Sequence, residues 1–414
     1  MDVEIINTGS ELLLGTTQNT HQRWLCQRLS EAGYRVIRQC CVADDGVALG
    51  NAIEGALERA DIVITTGGLG PTSDDLTRDH VAGLLGLRLV EQADIVEHIQ
   101  QKFKERGRRM PESCRVQAQV PEGAHVFDNA FGTAPGLDIG INRAGSLGRI
   151  IMLPGPPREL YPMFDNQVLP RLLSLLPPEN PSVYYTWRTV GLGESMVAER
   201  IEGPLREAYG EAISIGYCCR PGEVDIRIGL PRDADVSRGV IDEQLRRYLG
   251  KLIFGEDEQS LVDAVVRMLA QRGETLALAE SCTGGAVAHR ITNIPGASTV
   301  FMGGVVSYSN QSKIQLLGVS GGTLEGHGAV SEPVVGEMAQ GARRRFDADW
   351  ALAVSGIAGP SGGTEEKPVG TVCLAVAGPS SETVVTRFNP FDRETFKWVT
   401  GQQLLDLLRL ELMP

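Results

Sequence analysis

Three residues able to attack or to donate stand together in LALAESCTGGAVAHR, where Ser281, Cys282 and Thr283 follow an apolar run and precede Gly284 and Gly285. The run reads as a strand that turns into a helix at the glycines. Such turns present backbone N–H groups outward, with the positive end of a helix dipole behind them. A serine placed there can attack a carbonyl carbon while N–H groups of the Thr-Gly-Gly turn hold the developing oxyanion. The plainer role is a helix cap made by Ser281 or Thr283. A nucleophilic serine needs a base, and this third of the chain offers His289, His327, Lys313, Lys367 and Lys397. His289 falls two turns into the expected helix and faces away; His327 sits in a Gly-flanked turn. Lys313 closes VVSYSNQSK just after an expected strand. Burial there would lower its pKa toward neutrality, and Tyr308 and Ser309 supply hydroxyls for a proton relay.

A second constellation lies in TTGGLGPTSDDLTRD, residues 65–79. Gly67 and Gly68 permit close backbone approach, Thr72 offers a hydroxyl to phosphate, and Asp74 and Asp75 could hold a divalent cation that bridges phosphates. The same residues also suit an ordinary Gly-rich turn with aspartate helix caps. No GKS or GKT follows, so this is not a Walker loop. Two further turn-rich stretches, FDNAFGTAPG (127–136) and MLPGPPREL (152–160, with Arg158 and Glu159), are candidate loops or plain connections.

Positioning either set requires strands that end where the reactive residues begin. Residues 1–68 alternate strand (VEIINTG, YRVIRQCCV, DIVITTGG) with helix (19–33, 47–59), which predicts an α/β fold with a parallel sheet covered by helices. Ligands collect at the carboxyl ends of such strands. LPRLLSLLPPENP reads as a helix end and a proline-rich linker. Residues 178–255 hold short strands and two helices, a small α+β module without evident chemistry. From residue 258 a third α/β unit begins, with strands TLALAE, GGVVSYS, WALAVSG, GTVCLAVAG and TVVTRF and a closing helix at 393–412.

At 414 residues, 42% hydrophobic and 22% charged, the chain has ample core for two or three domains. A net charge of −13 argues against direct nucleic-acid binding, and the one basic run, KFKERGRR, reads as a solvated helix face. No apolar run suits a signal peptide or a membrane helix, and the eight cysteines contain no CxxC pair, so a cytoplasmic protein with reduced thiols is expected. The pairs Cys40-Cys41 and Cys218-Cys219 are expected in buried strands.

AESCTGG, the GAS of NIPGAS, VVSYSNQSK, HGAVSEPVV, VSGIAGPSGGTEEKPVGTV and the later Asp392-Arg393 together resemble the nicotinamide-mononucleotide amidohydrolase domain of the CinA family, across residues 260–412. The resemblance implies a Ser-Lys enzyme that deamidates nicotinamide mononucleotide to nicotinate mononucleotide and ammonia without a cofactor. It implies Ser281 as nucleophile and Lys313 as base, with Tyr308 and Ser298 supporting the site. Thr283, Gly284 and Gly285 would form the substrate turn; Ser355 stands where many members have Thr, and Arg393 would bind substrate. Phe391 replaces a family glycine, and Lys397 replaces a nearby arginine. NTGSELLLGTTQNTHQRWL and the loops of residues 1–170 resemble the MogA/MoaB-like, molybdopterin-binding-like domain of the same family, some members of which hydrolyse ADP-ribose with a divalent metal. That implies phosphate contacts at Gly67, Gly68 and Thr72, carboxylates from Asp74, Asp75 and Glu11, and a homodimer. A non-catalytic nucleotide- or pterin-binding scaffold linked to competence or DNA damage is the alternative.

Overall fold

In the computed structural model, which describes residues 1–413 apart from 144, 145, 180 and 235 and only the backbone of 143, 146 and 147, the run VEIINT forms strand Asp2–Thr8 at the heart of a six-stranded sheet. The strand order is Arg35–Val42, Asp2–Thr8, Ile62–Thr66, Ser146–Leu153, Gly136–Arg143, His125–Phe127. The first four strands run parallel, as the alternation of strand and helix signals predicts. The last two join antiparallel, because the short link after Gly136–Arg143 can close only a hairpin and not a crossover. Alternate residues of the central strands feed different cores: Ile6 and Val63 pack on one face, Ile5, Ile62 and Ile64 on the other. Burial on both faces explains why these strands read as continuous apolar runs.

The chain divides into two compact units, Met1–Tyr184 with Pro231–Asp233, and Tyr185–Leu230 with Ala234–Pro414. Residues 182–256, most of them in the second unit, build a four-stranded sheet, ordered Ser214–Arg220, Glu223–Pro231, Ser182–Val190, Ile253–Glu256, under helices Glu194–Tyr209 and Arg238–Leu249. They enclose a core of Trp187, Ile201, Ile226 and Leu245. This module is not sealed from its neighbour, for its Val190 and Phe254 belong to the C-terminal core. Its Gly222 turn, at φ +83°, lies where an added Cβ would come within 3.7 Å of Gln402 Cβ. Buried Gln402 then bridges the two, donating to Glu223 and accepting from Arg290. The adjacent cysteine pairs differ from expectation. Cys218 and Cys219 are exposed and Cys40 and Cys41 only half-buried, because both pairs lie on edge strands, where a face or edge stays open to solvent.

The C-terminal sheet is ordered Phe301–Val306, Leu276–Glu280, Trp350–Gly356, Thr371–Ala377, Glu382–Phe388, with the first three strands parallel and the rest antiparallel. Its two faces differ in side-chain size. Leu276, Leu278, Leu352, Val354, Leu374 and Val376 face helices Leu261–Arg272 and Arg393–Leu412. Ala277, Ala279, Ala351, Ala353, Ala375 and Ala377 face helix Glu332–Phe346, which can therefore lie close to the sheet. That helix also touches helix Asn310–Leu317 at Gly341, where an added Cβ would fall 1.9 Å from the carbonyl oxygen of Leu317. The contact fixes the lysine-bearing helix against the sheet.

Candidate active site

Leucine and alanine alternate in LALAE, so Glu280 continues the leucine face and the chain leaves the strand at Ser281. Glu280 is 1% exposed, and its carboxylate accepts from the N–H groups of Gly285 (2.9 Å), Val287 (3.2 Å) and Ala288 (2.8 Å). It thereby supplies the negative charge that the first turn of helix Ala286–Thr292 favours. No side chain at the N-cap, Gly285, is needed, and neither Ser281 nor Thr283 caps the helix. Gly284 and Gly285 adopt φ of +65° and +93°, which brings the chain round from strand to helix.

Ser281 is almost wholly buried, and its N–H donates to the carbonyl of Val354 at 3.1 Å. Lys313 reaches it from the next strand–helix connection. The strand expected to run through SYS ends at Val306, and Ser309 caps helix Asn310–Leu317, which places Lys313 one turn inside it. Lys313 is 1% exposed, and its Nζ lies 3.1 Å from Ser281 Oγ and 2.8 Å from the Ser307 carbonyl oxygen. Burial pushes this amine below its ordinary value, favouring the neutral form. With one N–H given to the Ser307 carbonyl, the lone pair of a neutral amine is free to accept the Ser281 proton. Ser307 is itself held by its N–H donating to Glu280 O at 2.8 Å.

The turn supplies fewer oxyanion donors than its glycines suggest. Gly284 N–H donates to Ser281 O, and Gly285 N–H is taken by Glu280. Among the described residues, the N–H groups of Cys282 and Thr283 donate to no backbone oxygen; both lie against the Cys282 sulfur, with which a developing oxyanion would compete for them. The Thr283 hydroxyl is fully buried and has no partner. Cys282 fills a buried space, its thiol pushed up to about 12 by burial.

The other expected residues divide. Tyr308 is 63% exposed; its hydroxyl accepts from Arg393 at 3.1 Å and is bonded to neither Lys313 nor Ser281. Arg393 also donates to the Gly359 carbonyl at 2.9 Å, and Lys397, one helical turn on, has its Nζ 3.8 Å from where a Gly284 Cβ would sit. Ser355 is buried on the alanine face and donates to Ala329 O at 2.7 Å. Ser298 is exposed in the turn Ala297–Thr299 and bonds to no other site residue. His289 and His327 are exposed, whereas Ser281 is buried. Glu280 and Ser307 went unread in the sequence. The signal for Glu280 was its parity in LALAE; nothing local marks Ser307, whose contribution is a backbone carbonyl.

In the N-terminal unit, Gly67 and Gly68 lie at φ +95° and +69° at the end of Ile62–Thr66. They line a cavity of about 380 Å³ with Thr8, Glu11, Asp44, Asp74, Asp75, Gln117 and Glu159. Thr72 does not line it: its N–H and hydroxyl are both given to Asp75. Glu159 is held by the amide of Asn129 at 2.9 Å, and Arg158 is exposed. No three His, Cys, Asp or Glu side chains converge as a metal cluster among the described residues. The carboxylate oxygens suit a hard cation, which would draw its remaining ligands from water and phosphate.

Two family models match the chain: the CinA C-terminal domain over residues 258–412 and the probable molybdopterin binding domain over residues 4–174. A CinA-like protein of Akkermansia muciniphila is 45% identical over 99% of this chain and 98% of its own length. One from Anaeromyxobacter dehalogenans is 42% identical over the whole of both chains. Among solved structures, the competence/damage inducible protein CihA from Agrobacterium tumefaciens is 38% identical, covering 37% of this chain and 93% of that one, with a TM-score of 0.36. With relatives more than 40% identical along almost the whole of both chains, the chain belongs to the CinA family.

Proposed function

We propose that the chain is a cytoplasmic nicotinamide-nucleotide amidohydrolase that converts nicotinamide mononucleotide to nicotinate mononucleotide and ammonia. The carrying observation is the buried 3.1 Å contact between Lys313 Nζ and Ser281 Oγ, with an amine that burial biases toward neutrality. Lys313 accepts the Ser281 proton as Oγ attacks the carboxamide carbon, and the N–H groups of Cys282 and Thr283 receive the oxyanion. The Lys313 ammonium returns its proton to the departing nitrogen, which leaves as ammonia. Water, deprotonated by the same amine, then hydrolyses the acyl-enzyme. Arg393 and Lys397 supply positive charge for the substrate phosphate, and no cofactor enters. Purified protein with nicotinamide mononucleotide should release ammonia in the presence of a chelator; no release would sink the reading.

A second activity is favoured by the acidic N-terminal cavity, which joins Gly67 and Gly68 to carboxylates Glu11, Asp74 and Asp75. We read it as an ADP-ribose pyrophosphatase. A divalent cation held by one or two of those carboxylates, its shell completed by water and phosphate, would neutralise the phosphates, and the glycine loop would admit them. Asp74→Asn should suppress AMP formation and leave ammonia release intact. A binding scaffold without turnover predicts neither product.

A further inference from the structure

Gln117 lines the N-terminal cavity, is 3% exposed, and its Oε1 has no hydrogen-bond partner. A buried acceptor left unpaired is costly and calls for a donor from elsewhere. The backbone that carries this amide is held in place. Arg78, itself 3% exposed, donates to the carbonyl of Val116, the residue before Gln117, at 2.6 Å. Its neighbour Thr77, fully buried, donates to the carbonyl of Gly67 at 2.9 Å. Consecutive residues of helix Thr77–Leu84 therefore anchor the glycine loop and the Gln117 segment together, so the backbone of Gln117 is held at a constant offset from the cavity-lining glycines.

The ligand class follows from the chemistry of the amide. Oε1 needs a donor, while the same group carries two N–H donors of its own. The terminal torsion of glutamine is broad, so the oxygen can turn to meet a group that enters the cavity. The complementary partner is a heterocycle edge with an exocyclic amine beside a ring acceptor, as glutamine meets adenine. Resting on the reading of this cavity as a site for phosphorylated ligands, we propose that Gln117 is its specificity-determining residue, accepting from the exocyclic amine of the ligand's base. An adenine nucleotide and an aminopterin-ring phosphate share that chemistry.

The test is calorimetric binding to the full chain with Mg²⁺ present, using AMP, its analogue lacking the 6-amino group, ribose 5-phosphate and a 2-aminopterin monophosphate with its 2-deamino counterpart. The wild-type protein should bind an amino-bearing base about 10-fold more tightly than its deaminated partner. Which pair shows the preference identifies the source. Gln117→Leu should abolish the preference while ribose 5-phosphate binds as before. Gln117→Asn, whose amide is one carbon short, should reduce it and serves if the leucine variant lowers the unfolding midpoint. An equal preference in the variants overturns the role of Gln117. Tight binding of ribose 5-phosphate with no base preference overturns it too, yet leaves the cavity reading standing; failure to bind any of these phosphates removes both.

Discussion

Lys313 carries an amine into a site almost closed to water, where its described partners are one hydroxyl and one carbonyl. Its acidity therefore controls both rate and stability. In the proposed mechanism the neutral amine is the base, so ammonia release should rise with pH along a limb whose midpoint lies below the ordinary lysine value of 10.5. Between that lowered value and 10.5 the unfolded chain holds more protons than the folded one, so stability climbs with pH across this window. Lys313→Met should abolish turnover yet raise the unfolding midpoint, most at low pH, with the gain shrinking as pH approaches 10.5. A variant stabilised equally at every pH would mean that burial leaves the amine's pKa unshifted. Ser281→Ala should cut ammonia release by roughly 10³-fold or more without unfolding the chain. The pairing of serine and lysine, 3.1 Å apart, was legible in the sequence because it is made by side chains. The donors were not, because Glu280 takes a glycine N–H that looks free on paper.

At the scale of elements, the nucleophile turn hangs on one carboxylate and the base on one close helix crossing. Glu280→Ala removes the acceptor of three backbone N–H groups and should cost about 3–5 kcal/mol in denaturant unfolding, with turnover falling too. Glu280→Gln should recover part of the loss. Gly341→Ala would drive a methyl into the Leu317 carbonyl and should cost about 3 kcal/mol. Because Leu317 ends the helix that carries Lys313, a fall in kcat should accompany it; full activity would show that the crossing does not position the base. Strand and helix identities were legible from period and composition. The antiparallel halves of both sheets were not, because pairing direction depends on connection length rather than on which residues are apolar. The Leu–Ala alternation looked uniformly apolar, and only packing shows that one face was kept thin for a helix.

For the whole molecule, the two sites draw on different chemistry, and their sensitivities should separate. A chelator should stop AMP formation and spare ammonia release, since five carboxylates and no lysine or arginine line the N-terminal cavity while the Ser-Lys pair uses protein groups alone. The middle block read as a tidy spacer because nothing in it suggested reactions. Yet Val190 and Phe254 sit in the core of the C-terminal sheet, and Glu223 answers Gln402 and, through it, Arg290. An amputated piece starting at residue 258 would bare two greasy sockets and strand an amide meant for a distant glutamate. It should melt earlier than a piece starting at residue 182, and bind a dye that seeks exposed oil-like surface.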